Sequence, residues 1–201
     1  FTIFPQNRLG NGLYRNGTLM ASETDQQIIG SQPIRGIESI VYLYRDVNGQ
    51  EGLGLVNGIN EGTGRLKKVG EEFYEFSNYE IGYQRIFRIL QGKVLPIMEK
   101  LRTASGVTLS NTHAVFYHIS NSKNVTSINQ NGQKTTKRVY TFRLHVIKRD
   151  LEDLVSLYDL PIKDANYLLK LNWKNEHSLI YKLSNGKKYT IDLRKYAPSL
   201  F

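Results

Sequence analysis

Four residues in the second half of this chain have the chemistry for work on a phosphodiester. His118 and His145 can serve as base and acid, and Arg143 and Lys137 as cations for a developing phosphorane, the set a metal-independent ribonuclease uses. His113 and His118 lie five apart on a predicted strand, so their side chains point to opposite faces. Cross-strand pairing would bring either one beside His145 or Arg143. The plainer reading of a histidine on a half-buried strand is a packed or hydrogen-bonded residue. Glu71, Glu72, Glu75 and Glu80 form a carboxylate cluster, which reads as a solvated acidic face, with Glu80 reserved for a helix cap.

Charge points the same way as the histidines. The 201 residues hold 27 Lys and Arg against 18 Asp and Glu, a net charge of +9, and no cysteine. Residues 100–201 carry seventeen of the basic side chains and seven of the acidic ones, so the positive field belongs to the C-terminal half. Residues 100–149 contain nine Lys or Arg and no Asp or Glu. A one-signed window of this kind attracts a polyanion. Lys123, Lys134, Lys137, Arg138, Arg143, Lys148 and Arg149 are the expected phosphate contacts, with Asn121, Asn124, Asn129, Gln130 and Gln133 offering amides to base edges.

Several chemistries are set aside by composition. Without cysteine there is no thiolate catalysis, disulfide, iron–sulfur cluster or cysteine-ligated zinc. The four histidines include no HExxH spacing, and no glycine run forms a nucleotide cradle, so no metal and no cofactor is expected. No apolar run reaches the ~18–20 residues of a membrane span, and residues 1–10 lack a basic region followed by an apolar one. A soluble chain without a membrane partner is the expectation.

Residues 1–75 read as a glycine-rich β and loop segment serving as scaffold or oligomer contact. Residues 76–201 read as a basic α+β region continuous with it. Four of the six Asn-Gly pairs fall in the first seventy residues, and this pair tolerates the positive φ of a tight hairpin turn. Ser39–Arg45 is the clearest strand, turning at Asn48-Gly49 toward Gly52–Val56, where two glycines mark a bulge or a close backbone approach. Ser77-Asn-Tyr-Glu80 fits a capping box and predicts a helix from Asn78, ending near Gly92; Pro96 would open a second, through Ala104.

Alternation then predicts strands over 112–119 and 139–148, joined by a polar loop over 120–136. Tyr140, Phe142, Leu144 and Val146 form the expected core face. Apolar spacing predicts a helix pair over 150–171, followed by a hairpin turning at Asn185-Gly186. Helix, turn, helix, hairpin is the order of a winged helix-turn-helix, which would present Lys163, Asn166 and Lys170 to a groove and Lys187 and Lys188 to phosphates.

The expected fold is therefore α+β, with antiparallel β-hairpins packed on a few short helices and a winged-helix-like C-terminal segment. The expected function is nucleic-acid binding, to DNA or RNA, by a basic hairpin over about 100–149. Two alternatives rest on the same residues. One is a metal-independent nuclease using His118, His145 and Arg143; the other is a structural assembly protein, such as a virion or filament component, with homo-oligomeric contacts.

Overall fold

The chain divides into two units, residues 1–102 and residues 103–201. The computed structural model describes residues 2–4, 12–15, 18–21, 26–57, 64–98, 103–149, 154–160 and 168–201. Among them are seventeen strands, two short 3-10 turns and no α-helix, so the α+β expectation is corrected to an all-β architecture. Every strand pairing is antiparallel, in five sheets. No helix among the described residues is long and apolar enough to cross a membrane.

In the first unit, β1 (Thr2–Phe4), β2 (Gly12–Arg15) and β3 (Thr18–Ala21) form one sheet, and β4 (Gln26–Pro33), β5 (Ile40–Asp46) and β6 (Glu51–Val56) a second. A third holds β7 (Arg65–Val69), β8 (Phe73–Asn78), β9 (Tyr83–Leu90) and β10 (Lys93–Ile97). Val41, Leu43 and Leu53 from the second sheet pack with Tyr74, Phe76, Tyr83 and Phe87 from the third. The β5–β6 hairpin turns where Asn48-Gly49 predicts. Gly49 takes φ +78° and donates to Asp46 O at 3.0 Å, while the Asp46 carboxylate accepts from Asn48 N and Gln50 N. Gly52 and Gly54 stand opposite Tyr44 and Tyr42, whose rings lie where a Cβ would be. The two strand glycines are thus the floor on which two tyrosines rest.

Neither expected helix appears among the described residues: 83–90 is strand β9 and Pro96 lies in β10, while 99–102 lie outside the described residues. Asn78 does not start a helix; its Oδ1 accepts from Glu80 N at 3.1 Å and closes a turn in which Gly82 takes φ +64°. The chain reverses there, from β8 into β9. In β9, Tyr83, Arg85, Ile86, Phe87 and Arg88 are all buried. A strand covered on both faces loses its period-two signal and cannot be told from a helix by spacing. Pro96 lies in β10, at the edge of its sheet, where a missing N–H is tolerated.

The second unit contains two sheets. One is β11 (Ser105–Leu109), β12 (His113–Ile128), β13 (Lys134–Lys148) and β14 (Leu154–Leu160); the other is β15 (Leu168–Asn175), β16 (Ser178–Leu183) and β17 (Lys188–Asp192). Val115, Phe142, Leu144 and Val146 from the first pack with Leu171, Leu179, Tyr181, Leu183 and Ile191 from the second. This is the core face that alternation predicts, and the hairpin at Asn185-Gly186 is also where it predicts it. Among the described residues the winged-helix-like segment is not formed. Residues 154–160 pair with β13, with Val155 opposite Val146, and residues 168–175 pair with β16. Helical spacing in such short apolar runs is overridden by pairing with strands distant in sequence. Residues 150–153 and 161–167 lie outside the described residues.

Candidate nucleic-acid interface

The polar stretch over 120–136 is a continuation of β12 and β13 rather than a loop. A β-bulge between Ile119 and Asn121 interrupts the ladder, after which eight further pairs run from Asn121 opposite Thr141 to Ile128 opposite Lys134. At ~3.3 Å per residue this arm is about 26 Å long. Bulges raise local twist and bend a strand, so the arm and the stem below it are separate stretches of one hairpin. Every residue from Lys123 to Arg138 is exposed.

The tip closes by the same pattern as the hairpin at Asn48-Gly49. Asn129 N donates to Gln133 O at 3.0 Å, and Gly132, at φ +76°, donates to Asn129 O at 3.0 Å. The Asn129 side chain accepts from Asn131 N and Gln133 N, and its amide donates to Gln133 Oε1 at 3.1 Å. Asn129 and Gln133 therefore hold the turn and are not placed to read bases. Asn121, Asn124 and Gln130 are exposed, and their side chains have no hydrogen-bond partner among the described residues.

Pairing sorts the cations between the two faces of the arm. Arg138 and Lys134 share one face with Ser122, Asn124 and Thr126; Lys123 and Lys137 share the other with Val125 and Val139. The Arg138 guanidinium donates to Ser122 Oγ at 3.0 and 3.2 Å and lies 5.7 Å from the Tyr140 ring centroid. Those contacts hold it extended along its face. Lys123, Lys134 and Lys137 have no ion-pair partner among the described residues. Residues 103–149 contain no carboxylate, so the hairpin itself supplies no acidic group to either face.

The stem is different. His118 Nδ1 and His145 Nε2 are 2.6 Å apart, with ring centroids at 4.8 Å, and His145 stacks on Phe116 at 5.2 Å. The structure thus brings the two candidate histidines together, but His145 is 0% and His118 8% exposed. Burial, with the positive charges of His118 and Arg143 adding to it, lowers His145 to about 4. A side chain that is neutral and sealed at pH 7 can neither donate a proton nor meet a phosphodiester. His113 bonds Leu200 O at 2.9 Å and packs on Phe201, which pins the C-terminus. Arg143 is exposed, with Asp159 opposite it in register on β14.

The remaining predicted contacts scatter. Arg149 donates to Ser110 O at 2.9 Å, tying the base of the hairpin to its own backbone, and Lys148 is half-buried opposite His113. Lys170, Lys187 and Lys188 are exposed on the C-terminal sheet or its turn. Lys163 and Asn166 lie outside the described residues. The signal that the sequence held for the arm was Asn131-Gly132, the same turn pair as at 48-49 and 185-186. No protein-family model matches the chain, and no curated protein matches its sequence.

Proposed function

We propose that residues 103–201 bind nucleic acid, with the arm formed by residues 121–141 laid against the phosphate backbone. The observation that carries this reading is a solvent-exposed two-stranded ribbon with two cations on each face and no carboxylate in the surrounding 103–149 segment. A two-stranded β-ribbon is one of the few elements a B-form major groove admits, whereas the A-form major groove is deep and narrow. Duplex DNA is thus favoured over duplex RNA. Backbone contact by Lys123, Lys134, Lys137 and Arg138 provides affinity, and Asn121, Asn124 and Gln130 are the amides free to meet base edges.

The test is a salt titration of binding to labelled duplex DNA, duplex RNA and single strands, with and without EDTA, read for mobility shift and cleavage. Binding should weaken steeply with salt, the log–log slope falling by about 0.9 for each phosphate contact removed by substitution in the arm. Salt-sensitive binding without cleavage supports the reading. EDTA-resistant cleavage would instead favour a nuclease, and no binding at the lowest salt would overturn nucleic-acid binding altogether.

A further inference from the structure

The outer face of the C-terminal sheet carries a second concentration of charge that no turn or core requirement explains. Lys170 on β15 stands opposite Lys182 on β16, and Lys182 stands opposite Lys188 on β17. Three lysines therefore form one cross-strand row, all of them exposed. Directly opposed like charges destabilise a sheet. The inner face, with Leu171, Leu179, Tyr181 and Ile191, already supplies the burial that holds this sheet.

Among the described residues, no carboxylate pairs with the row. Lys187 sits beside it in the turn at Asn185-Gly186. Only two carboxylates have described side chains in this unit. Asp192 is held by Arg194 at 2.8 Å, and that guanidinium lowers its carboxyl to about 2; Glu176 lies in the turn at the other end of the β15–β16 hairpin. None of the three lysines has an ion-pair or hydrogen-bond partner among the described residues. Exposed Asn172 and Thr190 flank the row with further hydrogen-bonding groups.

We propose that Lys170, Lys182 and Lys188 form a second phosphate-backbone contact for DNA, separate from the arm. Neighbouring strands are ~4.8 Å apart, so the row spans about 10 Å, against which a duplex places several phosphates at one charge per ~1.7 Å of axis. Two contacts on one ligand raise affinity beyond either alone by making the second an intramolecular event. The inference deepens the nucleic-acid reading and rests on it for the identity of the ligand.

The experiment measures binding of the full chain to a labelled DNA duplex over a range of KCl concentrations. Four proteins are compared: wild type, the row variant K170Q/K182Q/K188Q, the arm variant K123Q/K134Q/K137Q/R138Q, and the two combined. The row variant should bind at least about 10-fold more weakly with a salt slope reduced by about 2 to 3. Its melting temperature should equal or exceed that of wild type, and K182Q alone serves if the triple variant folds poorly. An unchanged affinity and slope in a folded row variant, with loss in the arm variant, would overturn the row and leave the arm. Loss in the row variant alone would support the row and overturn the arm. No binding by wild type at the lowest salt would overturn both.

Discussion

The first unit buries two of its cations and pairs two more, with Arg35, Arg65, Lys67 and Lys93 exposed on it, whereas the second unit gathers its exposed lysines on an arm and in a cross-strand row. Residues 1–102 hold twelve Lys and Arg against eleven Asp and Glu, and residues 103–201 fifteen against seven. In the first unit Arg85 and Arg88 are 3% and 1% exposed. Arg85 bonds the Tyr83 hydroxyl at 2.6 Å, and Arg88 lies over the Phe73 ring. On its surface Arg45 pairs with Glu51 and Lys68 with Glu71. In the second unit, lysines stand exposed along an arm and across a sheet without such partners among the described residues. Charge that is buried or paired serves the fold, and charge held out uncompensated is available to a ligand. Net charge by itself does not make that distinction.

The largest effect that would break this contrast is on binding. K123Q/K134Q/K137Q/R138Q should weaken DNA affinity by about 1,000-fold, roughly 4 kcal/mol, with an unchanged circular dichroism spectrum. R45Q/K68Q, which removes two paired cations from the first unit, should leave affinity as it was. A comparable loss from both variants would mean that net charge alone drives binding.

Next in size is the cost of removing a buried cation. Arg88→Ala should destabilise the protein by about 3 kcal/mol in urea denaturation, since it empties a packed site and strands the groups that met the guanidinium. Lys137→Ala should stay within about 0.5 kcal/mol, as expected of an exposed side chain. Equal costs would erase the distinction between fold cations and ligand cations.

A smaller effect follows from the stem histidines. His145 titrates near 4 in the fold against an ordinary 6.5, so the unfolded chain binds more protons across that interval. Stability must then fall as pH drops through it, by about 1–2 kcal/mol between pH 7 and pH 5. His145→Gln should flatten that portion of the denaturation profile. An unaltered profile would show that His145 is not the residue responsible. The smallest effect is a gain: Lys182→Gln relieves two like-charge oppositions and should stabilise the second unit by a few tenths of a kcal/mol in thermal melts.

How much of this was legible depends on whether the deciding contact is local. The hairpins at Asn48-Gly49 and Asn185-Gly186 could be placed because the turn residues themselves supply the positive φ. Counting outward from the second pair would set Lys182 opposite Tyr189; the three-residue loop 184–186 sets it opposite Lys188 instead. The same logic applied at Asn131-Gly132 would have found the arm, but its exposed Ser, Thr, Asn and Lys lack the apolar alternation by which strands are recognised. Strand β9 reads as a helix for the converse reason: residues buried on both sides leave no period to count. The histidines were legible as residue types, and their cross-strand proximity as an option. Their burial, which closes them to a substrate, was not.

The sequence by itself determined the turns at Asn48-Gly49 and Asn185-Gly186, that Phe142, Leu144 and Val146 of β13 face the core, and that net positive charge is concentrated after residue 99. These follow from backbone preference, side-chain alternation and counting, each read within a few neighbouring residues. Only the tertiary structure decided that 83–90 and 154–160 are strands, that 120–136 is an arm, and that lysines from three strands share one row. Those outcomes depend on antiparallel partners supplied by other stretches of the chain, whose register selects the face and the neighbours of every side chain.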